Sequence, residues 1–276
     1  MEEKLWKACS DGKVEEVRKL LQNEQININW QDSQYSRTPF YMACRNRHVE
    51  VVKLLLNDKR VDINKANSEG ATPFYIACAK GHIEVVKLLL NDKRVDINKV
   101  EKTGATPFWI ACWNGHIEIV KLLLNDNRVD INKALNNGST PFYSACQNGH
   151  TEIVKLLLND NKIDINKVNK DGSTPFYIAC RYGYIEIVKL LLNDERIDIN
   201  KTKDGGFTPF YIACKKGHIE MVKILLNDKR LSIRKKTNKG KTAFDIAKTN
   251  NHSEIMKLIQ EFDTGNLPKN LKSNNK

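Results

Sequence analysis

The sequence predicts an all-α solenoid built from stacked helix–turn–helix repeats. A TPF motif recurs every 34 residues, and in most copies a cysteine, a glycine–histidine pair and a leucine-rich segment follow at constant distances. A constant period in this range is typical of helical repeat arrays. The motif begins at Thr38, Thr72, Thr106, Thr140, Thr174 and Thr208, with a TAF variant at Thr242.

The copy that begins at Thr72 illustrates the first part of each repeat. Thr72 is predicted to cap a helix, because its hydroxyl can accept a hydrogen bond from a free N–H of the next turn. Pro73 follows at the first helical position, where its missing N–H costs nothing. Gly81 is predicted to end this helix in a left-handed turn, which suits a residue without a side chain.

The second part of the repeat predicts another helix and a connecting arm. Apolar residues recur at helical spacing over about 82–91. Lys93 and Arg94 follow, at a helix C-terminus where cations complement the dipole. Residues 95–97 are predicted to form a short extended arm, and Gly104 a turn before the next threonine. One such repeat buries too little apolar surface to fold alone, so neighbouring repeats share their stability.

These repeats resemble ankyrin repeats. The segments TPFYIA, GHIEVVKLLL and VDIN are similar to the family's T-P-L-H-x-A motif, GH turn, E-V-V-x-L-L-L helix and D-V-N arm. The resemblance covers about residues 1–262, as an N-terminal repeat (1–36), six full repeats (about 37–239) and a C-terminal repeat (240–262). It implies a curved right-handed solenoid of paired antiparallel helices with projecting β-hairpin loops.

Three features depart from the family pattern. Each repeat has one extra residue after its second helix, where the family usually has glycine; asparagine and aspartate are expected to take that turn instead. Tyrosine or tryptophan replaces the histidine of the TPLH motif, so the side chain that makes the family's histidine–threonine hydrogen bond is absent here. Arg47 replaces the turn glycine of the first full repeat, which predicts strain there.

The cysteines and histidines are periodic and are interpreted as structural. Cysteines of neighbouring repeats are expected about 8–10 Å apart, beyond the reach of a disulfide, and are predicted to be buried thiols. One histidine per repeat cannot gather the ligands of a zinc ion and is expected to cap and pack the second helix. The cysteine positions are Cys9, Cys44, Cys78, Cys112, Cys146, Cys180 and Cys214; the histidine positions are His48, His82, His116, His150, His218 and His252.

No motif of catalysis or cofactor binding is present in the sequence. A glycine-rich phosphate loop, an HExxH motif and a nucleophile elbow are all missing. The repeated glutamates have a lysine three residues later, which indicates solvated pairs on a helix face. We therefore expect a non-enzymatic protein without a metal or cofactor. No apolar run is long enough to cross a membrane, and membrane insertion is not expected.

Equivalent positions in successive repeats form columns, and the acidic and basic columns balance each other in charge. The formal net charge of +12 therefore comes mainly from residues outside these columns. Residues 234–276 contain ten lysines and arginines but only four acidic residues. Residues 263–276 are predicted to be a basic, disordered tail. Nucleic-acid or anionic-surface binding through this basic C-terminal end is an alternative function, weighed against a solvated end cap.

The residues that vary from repeat to repeat are the candidates for partner binding. The resemblance places the two residues after each column cysteine in the concave groove that the family uses for partners, and the hairpin tips vary as well. Trp113 and Tyr182 are predicted to be surface aromatic anchors surrounded by cations. The groove candidates are Arg45, Lys80, Trp113, Asn114, Gln147, Arg181, Tyr182, Lys215 and Lys216. The aromatic candidates at the tips are Tyr35 and Phe207.

The function predicted from these residues is a scaffold that binds a protein or peptide partner, one that is acidic or contains an acidic stretch. The alternative interpretation is that the variation is drift on a solvated face. The reduced thiols and the MEEKLWKACSDG start, which does not resemble a signal peptide, predict an intracellular protein, cytoplasmic with the nucleus as the alternative. We expect a monomer.

Overall fold

Each TPF motif begins a helix in the way the sequence predicts. In the computed structural model, which describes residues 1–265, the Thr38 hydroxyl accepts a hydrogen bond of 3.0 Å from the Tyr41 backbone N–H. Pro39 occupies the first helical position. The same threonine cap occurs at Thr72, Thr106, Thr140, Thr174 and Thr208. Thr242 adds a reciprocal capping box with Asp245.

The described residues form 16 helices in eight pairs. The first helices of the pairs are α1 Glu2–Asp11, α3 Pro39–Arg45, α5 Pro73–Lys80, α7 Pro107–Asn114, α9 Pro141–Gln147, α11 Pro175–Tyr182, α13 Pro209–Lys216 and α15 Ala243–Thr249. The second helices are α2 Val14–Leu21, α4 Val49–Asn57, α6 Ile83–Asn91, α8 Ile117–Leu124, α10 Thr151–Leu158, α12 Ile185–Leu192, α14 Ile219–Leu226 and α16 Ser253–Asp263.

The chain divides into an N-terminal half, Met1–Asn136, and a C-terminal half, Asn137–Lys276. Within each half, consecutive first helices pack on one another, and so do consecutive second helices. Helices α1, α3, α5 and α7 form one such series, and α9, α11, α13 and α15 form the other. This is the stacked helical architecture that the sequence predicts.

The core of each half is a set of repeated apolar columns. The phenylalanine of every TPF motif is buried to 1% exposure, from Phe40 to Phe210. The second helices contribute valine, isoleucine and leucine, for example Val85, Val86 and Leu89, which have no exposed surface. The equivalent Phe244 of the last repeat is only half-buried. Burial of the column therefore depends on a following repeat.

All seven cysteines are free thiols in this core. Burial raises the pKa of the Cys9 thiol to about 12 and raises that of Cys44 well above its usual value. A thiol in this environment stays protonated and packs as a small apolar group. The burial of these cysteines agrees with the prediction that they are structural thiols.

The loops between repeats are tight turns held by hydrogen bonds. In residues 1–265 the only strand-like pairing is an isolated antiparallel bridge between Lys203 and Phe207. Neighbouring loops are joined by single backbone bonds, such as Lys102 N–H to the Glu69 carbonyl at 3.0 Å. Residues 95–97, predicted as an extended arm, are likewise part of a turn segment.

The turn after each second helix differs from the prediction. Asp58, the aspartate expected to adopt a left-handed conformation, has φ −90°, and Asn125 in the equivalent segment has φ −81°. The Asp58 carboxylate instead accepts hydrogen bonds from the backbone and side chain of Arg60. This local pairing stabilises the longer turn without the left-handed residue that a glycine would supply.

The predicted strain at Arg47 is present. Arg47 has φ 62°, in the left-handed region where the other full repeats have glycine. Asn251 occupies the same column in the last repeat and has φ 58°. The only other described non-glycine residue with positive φ is Ser36.

The C-terminal repeat ends with helix α16 at Asp263, one residue beyond the predicted boundary of the array. Arg234 forms an ion pair of 3.0 Å with Asp263. Most of the predicted basic tail, residues 266–276, lies outside the described residues. No helix in residues 1–265 combines the length and apolar character that a bilayer-spanning segment needs.

Candidate protein-binding surface

The two residues that follow each column cysteine lie at the C-terminal end of a first helix, and we call the set of these pairs the helix-end surface. The first residue of a pair offers a backbone carbonyl to the next repeat. The second residue is asparagine in several repeats, and its amide donates to the equivalent carbonyl of the preceding repeat. Asn46 Nδ2 bonds Ser10 O at 2.8 Å, and Asn250 Nδ2 bonds Lys215 O at 2.8 Å.

The column histidines bond the same carbonyls. His48 Nε2 lies 2.8 Å from Ser10 O, and His218 Nε2 lies 3.1 Å from Arg181 O. Because a carbonyl only accepts, Nε2 carries the proton in these histidines. The expectation that histidine caps its own helix is wrong, because no described histidine at the start of a second helix makes a side-chain cap bond. Histidine joins one repeat to the one before it.

Asn114 belongs to this structural set, although the sequence places it among the binding candidates. Its Nδ2 donates to the Ala79 carbonyl at 2.9 Å, beside His116 Nε2 at 3.0 Å from the same oxygen. The side chain is exposed, but its amide donor joins α7 to α5. Its principal contact is therefore between repeats.

Trp113 is less exposed than its sequence position suggests. It is half-buried and stacks on Trp109, with ring centroids 5.1 Å apart and planes 18° apart. An aromatic stack of this kind stabilises the first helix. The prediction that Trp113 is a fully exposed surface anchor is therefore wrong. The ring packs on Trp109, and only part of it is accessible.

The other two binding candidates on the helix-end surface of the N-terminal half are positively charged. Arg45 is half-buried and lies 3.5 Å from the Asn46 side-chain oxygen. Lys80 is exposed and stands where other repeats have the structural asparagine. Lys80 therefore lacks the hydrogen bond that Asn46 and Asn114 donate to a carbonyl of the preceding repeat.

In the C-terminal half, the helix-end surface is dominated by Tyr182. This side chain is 47% exposed, and its ring lies 6.0 Å from that of Tyr184. The Arg181 guanidinium lies 5.8 Å from the centroid of the Tyr182 ring, within the range of a cation–π contact. Lys215 and Lys216 on the next first helix are both exposed. Gln147, on the preceding first helix, is half-buried.

Arg181 also lies near two buried hydroxyls. Burial raises the pKa of Tyr143 to about 12, and the positive charge of Arg181 opposes part of this increase. Tyr177 behaves in the same way: its pKa is raised by burial and lowered in part by Arg181. The positive charge of Arg181 therefore acts on both tyrosines.

Many acidic side chains of the scaffold pair with a lysine or arginine of the repeated positions. On the second helices, lysine bonds the glutamate three residues earlier, as in Lys53–Glu50 at 2.7 Å. Arg94 holds the pKa of Asp92 below its usual value through a side-chain hydrogen bond. By contrast, no ion pair recorded within residues 1–265 includes Arg181, Lys215 or Lys216. These three cations remain available to a partner.

The two aromatic candidates at the loops differ in exposure. Tyr35 is 45% exposed, and the Arg37 guanidinium lies 4.2 Å from its ring centroid. Phe207 is half-buried and packs against Tyr211, with ring centroids 5.3 Å apart. Tyr35 remains a surface candidate, whereas much of Phe207 serves to hold its own loop.

Two groups were missed by the sequence analysis. The asparagine of the VDIN segment joins successive repeats: Asn64 Nδ2 bonds Arg94 O at 2.7 Å, and its Oδ1 accepts from Asp96 N–H at 2.8 Å. The strict repetition of asparagine in that column is the signal that could have indicated it. Tyr184, which stands at the position of histidine in the other repeats, is the second such group. Among residues 1–265, no cluster of three histidine, cysteine or acidic side chains is arranged to hold a metal.

Comparison with known families agrees with this geometry. A model described as ankyrin repeats (3 copies) matches residues 2–67, 59–134 and 127–203. A second model, ankyrin repeats (many copies), matches residues 193–247. Together the matches cover most of the chain. The comparison with curated proteins found no match.

Proposed function

The chain belongs to the ankyrin repeat family, and on this basis we propose that it is a non-enzymatic scaffold for an acidic or mixed-charge protein partner. Ankyrin repeats generally mediate protein–protein interactions. Fold alone does not select a partner, so the proposal depends on the side chains that the scaffold leaves unused.

The observation that carries the proposal is a cluster of cations without an ion pair beside an exposed aromatic ring. Exposed lysines elsewhere, such as Lys167 and Lys229, lack this aromatic neighbour. Glutamates, aspartates and most arginines of the repeated columns bond within the array. Arg181, Lys215 and Lys216 make no recorded ion pair in the part of the chain that the structure describes, and Tyr182 is exposed among them. Aromatic residues and arginine dominate the binding energy of protein interfaces. Unpaired cations select an acidic surface on the partner.

The proposed contacts divide into principal and subsidiary ones. Arg181, Tyr182, Lys215 and Lys216 are the principal contacts in the C-terminal half. Subsidiary contacts are proposed for Arg45, Lys80, Tyr35, the accessible part of Trp113, Gln147 and Phe207. Asn114 is left out of the contact set, because its amide bonds Ala79.

The alternative is nucleic-acid or anionic-surface binding through the basic C-terminal end. Exposed Lys236, Lys239 and Lys241 favour it. Two neighbouring cations are already engaged: Arg234 pairs with Asp263, and Lys235 Nζ bonds Asn200 O at 3.1 Å. The Arg234–Asp263 pair offsets one positive charge at the last loop, whereas Lys235 keeps its charge. Protein binding is the preferred proposal because ankyrin repeats generally mediate protein–protein interactions.

We further propose that the protein is monomeric and works inside the cell, in the cytoplasm or, alternatively, in the nucleus. The support is chemical. Seven buried thiols without disulfides suit a reducing compartment.

Affinity capture with the full chain, followed by mass spectrometry and direct titration with each purified candidate, tests the proposal. We expect at least one protein to bind directly and its affinity to fall as salt is raised from 50 to 200 mM, because the contacts are charged. A matched double-stranded DNA and an anionic vesicle are titrated in parallel. Binding to DNA or vesicles without any direct protein partner would overturn the scaffold proposal in favour of the alternative.

A further inference from the structure

One junction in the C-terminal half lacks the hydrogen bonds that join other repeats at the helix ends. Elsewhere within each half, the carbonyl that follows the column cysteine accepts from the next repeat. Ala79 O accepts from Asn114 and His116, and Lys215 O accepts from Asn250 and His252. Where the asparagine is absent, the histidine bond remains, as at Arg45 O and Arg181 O.

At the junction of α9 and α11, both donors are replaced by tyrosine. Tyr182 stands in the asparagine column, and Tyr184 stands in the histidine column. As a result, the Gln147 carbonyl has no recorded hydrogen bond in residues 1–265. The two tyrosine rings lie together, 6.0 Å apart, and Tyr182 is open to solvent.

The Tyr184 ring still packs against Gly149 of the preceding repeat, as histidine does at Gly81 and Gly217. The exchange nevertheless removes both donors to the Gln147 carbonyl, and the exposed part of the Tyr182 ring adds no buried area to the core. The same residues do provide what a binding surface needs: a flat aromatic ring and an available carbonyl acceptor. The exchange therefore indicates a role outside the array.

Cations surround this junction. Arg181 lies beside the Tyr182 ring, and Lys215 and Lys216 belong to the next first helix, which packs directly on α11. Helices that pack in this way lie about 8–10 Å apart, so α9, α11 and α13 together span about 16–20 Å. An extended peptide of about five or six residues covers this distance, at about 3.3 Å per residue.

We infer that the tyrosine junction, formed by Gln147, Arg181, Tyr182, Tyr184, Lys215 and Lys216, binds an extended acidic segment of a partner protein. The inference rests on the proposed scaffold function and defines its partner. Carboxylates of the segment pair with Arg181, Lys215 and Lys216. An apolar side chain packs on Tyr182, and a backbone N–H donates to the Gln147 carbonyl.

A peptide fits this surface better than a single-stranded nucleic acid. A sugar–phosphate backbone has no N–H to donate to the Gln147 carbonyl, whereas every non-proline peptide unit has one.

The chain itself supplies the variant that tests the inference. Y182N with Y184H restores the residues of the other repeats, and with them both bonds to the Gln147 carbonyl. We expect this column variant to fold with an equal or higher Tm. A second variant, K215A with K216A, removes two cations of the junction. Its control, K167A with K229A, removes two exposed lysines of the same half that lie outside the junction.

The experiment pans a phage-displayed library of random twelve-residue peptides on the full chain, and then measures selected peptides by fluorescence anisotropy. We expect selected peptides to be rich in aspartate and glutamate around an apolar residue. The column variant and K215A/K216A should each weaken binding at least tenfold. The K167A/K229A control should change it less than twofold. A twelve-nucleotide oligo-dT is titrated as the nucleic-acid probe.

Three outcomes would overturn the inference. Equal peptide binding by wild type and column variant would place the peptide site elsewhere and leave the scaffold function intact. Tight binding of oligo-dT that the column variant loses would assign the junction to nucleic acid. If panning selects no peptide and affinity capture finds no direct protein partner, the inference and the scaffold function both fail.

Discussion

At the scale of single residues, the turn column shows how the cost of a conformation depends on the side chain. Gly81 has φ 75°, and a Cβ there would lie 2.8 Å from His116 Cε1. Arg47 takes the equivalent conformation with a full side chain. A left-handed non-glycine residue costs about 1–2 kcal/mol, whereas glycine costs about 0.5–1 kcal/mol in chain entropy.

Arg47→Gly is therefore expected to raise the free energy of unfolding by about 0.5–1 kcal/mol. Urea denaturation followed by circular dichroism measures the change. Gly81→Arg is the matched reverse substitution and should destabilise the protein, because it adds both strain and a clash with His116. Lower stability of the Arg47→Gly variant would mean that Arg47 makes a compensating contact.

The helix-end surface shows that the type of a residue does not by itself reveal whether it bonds to a neighbouring repeat or faces the solvent. Asn114 and Lys80 are both exposed polar residues at equivalent positions. The asparagine reaches the Ala79 carbonyl at 2.9 Å, and the lysine has no recorded side-chain bond. The position after the repeated cysteine predicts both to be binding candidates. Only the position of the preceding helix distinguishes them.

At the scale of elements, the turn after five of the second helices (α4, α6, α8, α12 and α14) joins its repeat to the preceding one through an arginine. Arg94 Nη2 donates to the Asp92 carboxylate at 2.6 Å and to the Leu56 carbonyl at 2.7 Å. Leu56 lies in the last turn of α4, where carbonyls have no partner within the helix. The same contact from arginine to a preceding leucine recurs at Arg60, Arg128, Arg196 and Arg230. The extra residue of these repeats thus lengthens a turn that connects neighbours.

The arginine–aspartate pairs of these turns predict a loss of stability in acid. Hydrogen bonds from arginine lower the pKa of Asp58, Asp92, Asp126, Asp194 and Asp228 in the folded state. A lowered folded pKa stabilises the protein above the unfolded value of about 3.9. That stability is lost as the pH falls through the folded pKa. We expect the urea midpoint to decrease steeply below about pH 4.

Arg94→Ala tests the origin of this acid effect. Removing the guanidinium should lower the free energy of unfolding by about 0.5–1 kcal/mol near neutral pH, a small value because the pair is partly exposed. It should also reduce the dependence of the urea midpoint on pH below 4. Lys93→Ala is the control, because Lys93 is exposed and has no recorded side-chain contact. An unchanged acid slope in Arg94→Ala would assign the effect to other carboxylates.

At the scale of the whole molecule, periodicity separates architecture from the remaining candidates. The phenylalanine, cysteine, histidine and VDIN asparagine columns all bond or pack within the array. The Arg181, Lys215 and Lys216 side chains form no ion pair in residues 1–265, Tyr182 is exposed, and both inter-repeat donors are lost at the neighbouring Gln147 carbonyl. The residues with the best case for binding are those that depart from the repeat and whose side chains form no ion pair within the array.

The cysteine column gives a test of the folded core as a whole. Iodoacetamide at pH 8 should modify none of the seven thiols over minutes in native buffer, because burial raises their pKa values. All seven should react after unfolding in guanidinium, as counted by intact mass. Rapid modification of the native protein would show that the core opens locally on this timescale.

The periodic sequence predicted the helices well, because the signals that start and stop them are local. The Thr38 cap, Pro39 and the Gly81 turn each act within a few residues, and the structure reproduces them. The array as a whole follows from a repeated pattern of buried residues. The turn containing Asp58 was predicted incorrectly, because a side-chain bond to Arg60 replaced the left-handed residue.

The sequence by itself therefore determined the repeat, its helices, its buried columns and the family. Only the tertiary structure decided which residues of the helix-end surface remain free. A hydrogen bond such as that of Asn114 to Ala79 joins atoms 35 residues apart. Its formation depends on how one helix stacks on the next, as do the partial burial of Trp113 and the unpaired carbonyl of Gln147. Some variable residues form contacts between stacked repeats, whereas Tyr182 and its neighbouring cations stay accessible to a partner.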